Sequence, residues 1–426
     1  MNEVMMNKNQ LSIRLHGEPV GTLEQTPTGK KTFIYNSNAS MPISVGMPIR
    51  DEPYGDQQCE AFFGGLLPES ETAKKIIGKR YGVSPNNSFA LLRAIGYDCA
   101  GAISCHAIDE PIVPKHSVPL AGKVITDDEL YQHIQELPKQ PLFMDVEGLR
   151  LSLAGVQDKA AICLIENQIA LPENGCPTTH ILKPASPHFE GITENEYFIL
   201  KIAKRIGIPV PEVELRKIKD ITFILIERYD RRIKSNYIER IHQEDFCQAL
   251  GIPSIKKYQN DGGPSLSNCF DLLNNTTQPA IDRNRLASVV IFNYLVCNMD
   301  AHGKNFSLLH NTASSIKLAP FYDILCTRVY EKLTTKMAMK IGSKYEYDQV
   351  QPSHWKQLCD AINYRYLAMA GLIEILGEQI KVAAVQEKQM LQSNGIDNPI
   401  IDKIIKLIDS NIDQTLRRFT KSNDTI

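Results

Sequence analysis

The chain has 426 residues, with 47 Lys and Arg against 49 Asp and Glu, which leaves a net charge of −2. Hydrophobic residues make up 43% of the chain and charged residues 23%, the balance of an ordinary globular protein. This composition excludes disorder over most of the chain, and it excludes an overall cationic field that would attract nucleic acid or membranes. The length predicts two to three domains of roughly 150 residues each.

The apolar segments and the cysteines predict a cytoplasmic protein. No apolar run reaches about 18 residues, so no membrane-spanning helix is expected, and the N-terminus lacks the apolar core of a secretory signal. The ten cysteines form no CxxC pair, and several lie in apolar runs such as AAICL and YLVCN. We therefore expect reduced, buried thiols rather than disulfides or a metal site.

Residues 10–108 are predicted to form a small α+β subdomain. The segment LSIRLHGEPVGTLEQTPTGKKTFIY alternates apolar and polar residues, with glycines at turn positions, as hairpin strands do. CEAFFGGLLPES, ETAKKIIGKRYG and SPNNSFALLRAIG have helical patterns, and AGAISCHAI indicates one more strand. The segment PIVPKHSVPLAGK has three prolines and no clear period, which predicts a boundary near residues 109–122.

Residues 109–240 are predicted to be rich in strands, and residues 241–426 to be helical. TDDELYQHIQELP and TENEYFILKIAKRIGI have helical patterns, whereas VPEVELRKIKDITFILIERYDR indicates two strands. Later apolar residues recur at helical spacing, as in HQEDFCQALGI and ASVVIFNYLVCN. A small β-rich lobe followed by a large helical lobe is the order found in two-lobed phosphotransferases, although many α+β chains share this order.

The segment NMDAHGKNF carries the sharpest chemical signal. A long apolar helical pattern delivers Asp300, and Asn305 follows five positions later. Protein-kinase catalytic loops use an Asp and an Asn at this separation, where the Asp takes the proton of the acceptor hydroxyl and the Asn holds Mg²⁺ against the phosphates. The alternative is a helix exit rich in Asp and Asn, because both residues favour turns.

A second carboxylate follows in the segment LAPFYDI. Asp323 is predicted to end a short apolar strand, where it would serve as a second metal ligand in the role of the Asp of a DFG segment. The order here is FYD, and the alternative is an ordinary turn Asp. Two carboxylates and an Asn in this order favour the phosphotransferase interpretation.

The phosphate-binding elements are expected upstream, between early strands. The segment LAGVQDK has one Gly, so as an isolated motif it is weak, and the alternative is an ordinary hairpin. In the strand HILKP, Lys183 is placed to neutralise phosphate oxygens, or else it is a surface Lys on an edge strand. Glu196 in the next helix either pairs with Lys183 or complements the helix N-terminus. Backbone groups of Glu227 and Tyr229 are candidates for hydrogen bonds to adenine.

The motifs together resemble one family. SLAGVQDK, THILKP, NEYFILKIAKRIGIPVPEVEL, ERYDRR, QEDFCQALG, KYQNDGGP, NMDAHGKNFSLL and LAPFYDI are similar, in this order, to the HipA toxins of type II toxin–antitoxin systems. These toxins are Ser/Thr protein kinases. The similarity covers essentially the whole chain, including an N-terminal subdomain.

The resemblance implies an α+β, two-lobed protein-kinase-like fold that binds ATP and Mg²⁺. This fold has a small β-rich lobe with an added N-terminal subdomain and a large all-helical C-terminal lobe. Asp300 matches the catalytic Asp, Asn305 and Asp323 match the metal ligands, and Ser152 matches a Ser whose autophosphorylation ejects the phosphate loop and silences the kinase. The positions that match nucleotide-binding residues are Ala154, Gly155, Val156, Gln157, Asp158, Lys159, Lys183, Glu227, Arg228, Tyr229, His302, Gly303, Lys304, Asn305, Tyr322 and Asp323.

The resemblance also implies partners. Such toxins pair with a small helix-turn-helix antitoxin, HipB, and contact operator DNA mainly through it. Their best-known protein substrates are aminoacyl-tRNA synthetases, notably the glutamyl enzyme, and phosphorylation of these stops translation and growth. Two rival interpretations remain: a small-molecule kinase of the aminoglycoside or choline type, and a non-catalytic, ATP-dependent partner of a helix-turn-helix repressor.

Overall fold

A computed structural model describes residues 9–112, 121–143, 152–154, 157–173, 175–234 and 237–423. The chain forms two compact units, which are described separately. The first comprises the described residues up to Pro184, together with Lys217–Ile255 and Leu308–Ala319. The second comprises Ala185–Arg216, Lys256–Ser307 and the described residues from Pro320 onward.

The strands are short and mostly antiparallel. They are β1 (Gln10–Leu15), β2 (Glu18–Gln25), β3 (Lys31–Tyr35), β4 (Ile103–Ala107), β5 (Gly122–Val124), β6 (Ala160–Ile165), β7 (Gln168–Pro172), β8 (His180–Pro184), β9 (Val213–Ile218), β10 (Ile221–Glu227), β11 (Arg231–Ile233), β12 (Ile238–Arg240), β13 (His242–Asp245), β14 (Ser307–Thr312), β15 (Ser315–Leu318), β16 (Lys336–Ile341) and β17 (Lys344–Glu346).

The helices become longer toward the C-terminus. They are α1 (Asp56–Phe63), α2 (Glu71–Tyr81), α3 (Ser88–Ile95), α4 (Asp127–Glu136), α5 (Ile192–Arg205), α6 (Phe246–Ala249), α7 (Leu266–Leu272), α8 (Pro279–Leu295), α9 (Pro352–Ala361), α10 (Tyr366–Ser393) and α11 (Ile400–Asn423).

The two largest sheets of the first unit lie in the segments where the sequence predicts strands. The first is four-stranded, in the order β3-β2-β1-β4, and α1 packs against β3. Its core holds Leu11, Ile13, Phe33 and Phe63, all of which are fully buried. The second is six-stranded, in the order β5-β7-β6-β8-β10-β9. Burial of one face of the four-stranded sheet explains the period of two in its strands, as in β3, where buried residues alternate with less buried ones.

A cluster of buried charges ties the end of β10 to the segment between α3 and β4. Asp98 accepts a hydrogen bond from Arg231 at 2.8 Å, and Asp230 accepts from both Arg228 and Arg231 at 2.8 Å. The backbone N–H of Gly101 donates to Asp230 at 2.6 Å. We call Asp98, Arg228, Asp230 and Arg231 the buried charge cluster. Because each charge has an opposite partner, the cost of removing these groups from water is offset.

The helices of the second unit pack side by side. In α8, almost every residue from Leu286 to Leu295 is buried, so this helix lies in the core of the unit. Helix α5 packs against α10 and α11, and α10 also contacts α8. The buried residues of α5 recur at helical spacing, which explains why its pattern was readable in the sequence.

The region after residue 240 differs from the prediction in two places. It is mainly helical, but it is not all-helical, because it contains β13 to β17. HQEDFCQALGI was predicted to be one helix; in the structure β13 ends at Asp245, which then caps the short helix α6 by accepting from Gln248 N–H at 2.8 Å. The β-sheet partner β14 decides this, and it lies far away in sequence. The predicted domain boundaries stay predictions, and most of the predicted linker, residues 113–120, lies outside the described residues.

All ten cysteines are buried and none forms a disulfide. No helix in the described part of the chain is long and apolar enough to cross a membrane.

Replacing Asp98 with Ala should strongly destabilise the protein, because three guanidinium groups would lose a buried counterion. Burial alone opposes ionisation of this carboxyl, but the guanidinium groups of Arg231, Arg240 and Arg228 hold its pKa well below the usual range. We expect a loss of about 3–5 kcal/mol in the free energy of unfolding at pH 7, measured by denaturant titration.

The matched control is Asp128→Ala, which removes a carboxylate that is 80% exposed and pairs with Lys219 at 2.7 Å. This variant should unfold close to the wild type. Folding lowers the pKa of Asp98, so its ionised carboxylate adds to the free energy of unfolding above about pH 4. This stabilisation is lost as the pH falls below that value. If the difference in the free energy of unfolding between the wild type and Asp98→Ala stayed the same in strong acid, the stabilising role of the ionised Asp98 would be contradicted.

Candidate active site

The loop that follows α8 is fixed where it leaves the helix. Cys297 adopts a left-handed backbone conformation with φ of 59°, which turns the chain out of the helix. The backbone N–H of Asn298 then donates to the carbonyl of Asn293 at 2.9 Å, and the side-chain amide of Asn298 donates to the side-chain oxygen of Asn293 at 2.8 Å. The loop therefore leaves the buried helix α8 in one defined direction.

Two asparagine side chains hold the loop from inside. The Oδ1 atom of Asn298 accepts from the backbone N–H of Asp300 at 3.1 Å. The Oδ1 atom of Asn305 accepts from the backbone N–H of His302 at 3.1 Å, and the N–H of Asn305 returns to the carbonyl of His302 at 2.9 Å. These bonds satisfy backbone groups that a short loop would otherwise leave unpaired.

Asp300 is exposed, whereas His302 and the three residues after it are buried. Its Oδ1 atom accepts a hydrogen bond from the hydroxyl of Tyr258 at 2.8 Å. Lys257 also borders the loop, because its carbonyl accepts from the N–H of Gly303 at 3.3 Å. The carboxylate is therefore open to solvent but held by a neighbouring segment.

Asp323 lies on a loop, and the prediction that it ends a strand was wrong. β15 ends at Leu318, and Asp323 follows in a left-handed conformation with φ of 53°. Pro320 explains the difference, since its ring nitrogen has no hydrogen to continue a strand ladder. Asp is among the residues that tolerate this conformation best.

Asn305 and Asp323 line the same narrow pocket, together with Asn298. Tyr322 fixes the two loops to each other, because its hydroxyl donates to the carbonyl of Lys304 at 2.7 Å. The pocket thus joins one carboxylate and one amide oxygen, which are hard oxygen ligands of the kind that Mg²⁺ prefers.

A residue of α5 holds the chain just beyond Asp323, and the sequence analysis missed it. The side-chain amide of Asn195 donates to the carbonyl of Cys326 at 3.0 Å, and its oxygen accepts from the N–H of Cys326 at 2.9 Å. The motif NEYFILKIAKR contains this Asn, but the spacing of the motif does not reveal its distant backbone partner.

Lys183 lies inside the first unit. β8 runs between β6 and β10, with Lys183 opposite Ile224, and the side chain is buried. The alternative that Lys183 is a surface residue on an edge strand is therefore wrong. The predicted ion pair between Lys183 and Glu196 stays a prediction.

The predicted phosphate loop is described in part, since Gly155 and Val156 lie outside the described residues. The amine of Lys159 donates to the carbonyl of Ala154 at 2.6 Å, which brings the two ends of the loop together. The Nε2 atom of Gln157 is buried without a hydrogen-bond partner among the described residues. Asp158 is exposed.

The predicted adenine hinge follows the end of β10. Glu227 is exposed and Tyr229 is half-buried. Arg228 has its side chain in the buried charge cluster, and its backbone N–H donates to the carbonyl of Thr179 at 2.9 Å. The side chain of Arg228 therefore supports the hinge from behind, a role that its sequence motif ERYDRR did not indicate.

Ser152 is completely buried in the first unit. Its hydroxyl donates to the carbonyl of Leu66 at 2.6 Å, and its N–H donates to the carbonyl of Asp98 at 3.1 Å. The N-terminal subdomain thus holds this residue through both its side chain and its backbone.

The structure brings one group of predicted residues together in the second unit, namely Asp300, His302, Gly303, Lys304, Asn305, Tyr322 and Asp323. Ser152, Lys183 and the described residues of the predicted phosphate loop and hinge belong to the first unit, whereas Glu196 belongs to the second. Their assignment to nucleotide, metal or phosphate stays a prediction.

Families and known proteins match most of the chain. Two domain families match the chain: HipA N-terminal domain over residues 11–106, and HipA-like C-terminal domain over residues 151–387. A protein of Sinorhizobium fredii that is provisionally named a kinase is 41% identical over 359 residues, which cover 82% of this chain and 85% of that protein. The serine/threonine-protein kinase toxin HipA of Shewanella oneidensis is 30% identical over 353 residues, 79% of each chain.

The fold is also that of a solved structure. A chain in the complex of HipA, HipB and operator DNA from Shewanella oneidensis superimposes with a TM-score of 0.84 at 25% identity, covering 97% of this chain and 99% of that one. The prediction of an α+β, kinase-like fold is thereby confirmed. With both of its domain families matched, and with relatives similar over most of its length, this chain belongs to the HipA family.

Proposed function

We propose that this protein is a Ser/Thr protein kinase that transfers the γ-phosphate of ATP to a protein and acts as the toxin of a type II toxin–antitoxin system. The observation that carries the proposal is the pocket of the second unit, where Asn305 and Asp323 lie together beside the loop of Asp300. The curated relatives named as kinases support the same reaction class.

Asp300 is the proposed catalytic base. Asp300 is exposed, whereas His302 to Asn305 in the same loop are buried, and hydrogen bonds from the side chains of Asn298 and Asn305 hold the loop. It therefore orients an incoming Ser or Thr hydroxyl and accepts its proton while the loop stays fixed. Phosphoryl transfer depends mostly on such positioning and on charge stabilisation, because the protein does little covalent chemistry in this reaction.

Asn305 and Asp323 would hold Mg²⁺, which when bound offsets the negative charge of the phosphates. One carboxylate and one amide in the same pocket fit Mg²⁺ with a nucleotide, because Mg²⁺ keeps several waters and commonly takes one or two protein ligands together with phosphate oxygens.

The phosphates of ATP would meet donors of the first unit. Lys183 supplies a buried positive charge on β8, and the Nε2 atom of Gln157 supplies a buried donor whose partner is absent among the described residues. Backbone groups of the hinge at Glu227 and Tyr229 would take the adenine, with Arg228 held behind them.

Asp300→Asn should abolish phosphate transfer and leave ATP binding intact. The amide is isosteric but cannot take the proton of the hydroxyl, so we expect kcat to fall by about 100- to 10,000-fold. The measurement is transfer of label from γ-labelled ATP into proteins of a cell lysate, with nucleotide binding followed separately by calorimetry.

Asp360→Asn is the control, since Asp360 is exposed on α9 in the same unit. It should transfer phosphate at the wild-type rate. Equal transfer by wild type and Asp300→Asn would exclude this residue as the base, and label that enters only metabolites would favour a small-molecule kinase.

Ser152 is the proposed site of inactivating autophosphorylation. Because the residue is completely buried, its segment must leave this position before the hydroxyl can receive phosphate. Phosphate adds about 1.5 to 2 negative charges, and the hydroxyl that would carry it is completely buried and bonded to the carbonyl of Leu66. The modified segment would therefore stay displaced, and the phosphate loop with it.

Ser152→Ala should keep its activity during long incubation with ATP, whereas the wild type should lose activity as Ser152 is modified. The measurement is kinase activity against time, with the modified fraction followed by mass spectrometry of the intact chain and its peptides. Ser393→Ala is the control, because the exposed Ser393 also donates to a backbone carbonyl, that of Met390, at 2.8 Å. Parallel loss of activity in wild type and Ser152→Ala would contradict the proposed autoinactivation.

The proposed partner is a small helix-turn-helix antitoxin of the HipB type, through which the toxin is brought to operator DNA. The solved complex of a similar chain with HipB and DNA supports this pairing. An aminoacyl-tRNA synthetase is the proposed protein substrate, and identification of the labelled lysate protein by mass spectrometry tests it directly.

A further inference from the structure

We infer that Tyr258 is a positioning residue for Asp300, which it holds in the orientation needed to receive an acceptor hydroxyl. This inference rests on the proposed kinase function. Tyr258 lies in the motif KYQNDGGP, to which the reaction as described above gives no task.

The contact between the two residues is direct. The hydroxyl of Tyr258 donates to Oδ1 of Asp300 at 2.8 Å, within the range of a good hydrogen bond to a carboxylate. The ring of Tyr258 also meets the ring of His302 edge to face, with centroids 5.2 Å apart and planes at 85°. Tyr258 therefore contacts the catalytic loop on both sides of Ala301.

The backbone beside Tyr258 adds a third contact to the same loop. The carbonyl of Lys257 accepts from the N–H of Gly303 at 3.3 Å. The hydroxyl and the ring of Tyr258 and the backbone carbonyl of Lys257 thus all contact the loop between residues 300 and 303. Such a set of contacts fixes the direction of the Tyr258 hydroxyl relative to the loop.

The rest of the motif makes Tyr258 rigid. The carbonyl of Tyr258 accepts from the N–H groups of Asp261 at 3.0 Å and Gly263 at 2.9 Å. A side chain at Gly263 would place its Cβ 2.2 Å from the carbonyl oxygen of Lys256, so the turn closes only with glycine at this position. The side chain of Gln259 accepts from the N–H of Lys340 at 2.9 Å, which ties the turn to β16.

The chemical need for this bond follows from the exposure of Asp300. An exposed carboxylate samples several rotamers, and a base that points away from the acceptor hydroxyl does not contribute to the reaction. A hydrogen bond from a rigid phenol selects one orientation. An ionised carboxylate has about four lone-pair positions, so a bond at Oδ1 leaves capacity to accept the substrate hydroxyl.

The experiment is Tyr258→Phe, which keeps the ring against His302 and removes the hydroxyl alone. We expect kcat for phosphate transfer to fall by roughly 10- to 100-fold, the usual consequence of a misplaced catalytic group, while KM for ATP stays within about twofold. Tyr364→Phe is the control, because its hydroxyl donates to Asn284 at 2.9 Å on the surface of the same unit. It should leave kcat unchanged.

The double variant Tyr258→Phe with Asp300→Asn separates positioning from a structural role. If Tyr258 acts through Asp300, its loss should not further lower the residual rate of Asp300→Asn. A further tenfold fall in the double variant would overturn the inference. Full kcat in Tyr258→Phe, with an active wild type, would overturn it and leave the proposed function standing.

Hydrogen exchange gives a readout that does not depend on activity. Tyr258→Phe should speed exchange of the peptide that covers residues 298–305, and Tyr364→Phe should not. Unchanged exchange there would overturn the inference whatever the activities. An inactive wild type whose exchange responds as expected would instead contradict the kinase proposal, with the contact itself intact.

Discussion

Backbone polar groups that leave regular structure inside a protein must find hydrogen-bond partners, and this requirement shapes every candidate functional loop of the chain. After α8 the partners are side chains of the loop itself, from Asn298 and Asn305. After Asp323 the partner is Asn195, which reaches the backbone of Cys326 from a separate helix. Some residues that the sequence suggests as functional therefore also supply the hydrogen bonds that stabilise these loops.

Asn305 both stabilises its loop and lines the candidate metal site. Its side-chain oxygen accepts from the backbone of His302, and the same residue lines the pocket that contains Asp323. An amide oxygen has two lone pairs, so one can serve the loop and the other a metal ion. A carboxylate at this position would accept as well but would add charge beside Asp323, whereas an aliphatic residue would serve neither task.

In the first unit, buried charged side chains supply hydrogen-bond partners for the backbone. The buried charge cluster joins the segment around Asp98 to the residues that follow β10, where the hinge is proposed. Buried ion pairs add little net stability over apolar packing, but they accept only one geometry, and loss of either partner is costly. Asp98 also receives the backbone of Ser152, so one short segment supports two elements that the proposed function uses.

Much of the site was predictable because its signals are local. The spacing of Asp300 and Asn305, the helical period before them and the ordered motifs of the HipA family are all properties of short segments. The sequence analysis did not identify Tyr258 as a functional residue. Its partner Asp300 lies more than forty positions along the chain, and the local sequence around Tyr258 does not indicate that contact. The strand expected before Asp323 failed for a local reason, namely Pro320, whose effect was underweighted.

The sequence by itself determined the period of the N-terminal hairpin strands and of the long helices, the burial of the cysteines, and the identity of the acidic and amide residues near the end of α8. Those features depend on side chains within a few positions of one another. The tertiary structure decided that HQEDFCQALG begins as a strand, that Lys183 is buried in the middle of a sheet, and that Tyr258 meets Asp300. Each of these depends on a partner distant in sequence, and local propensity carries no information about such a partner.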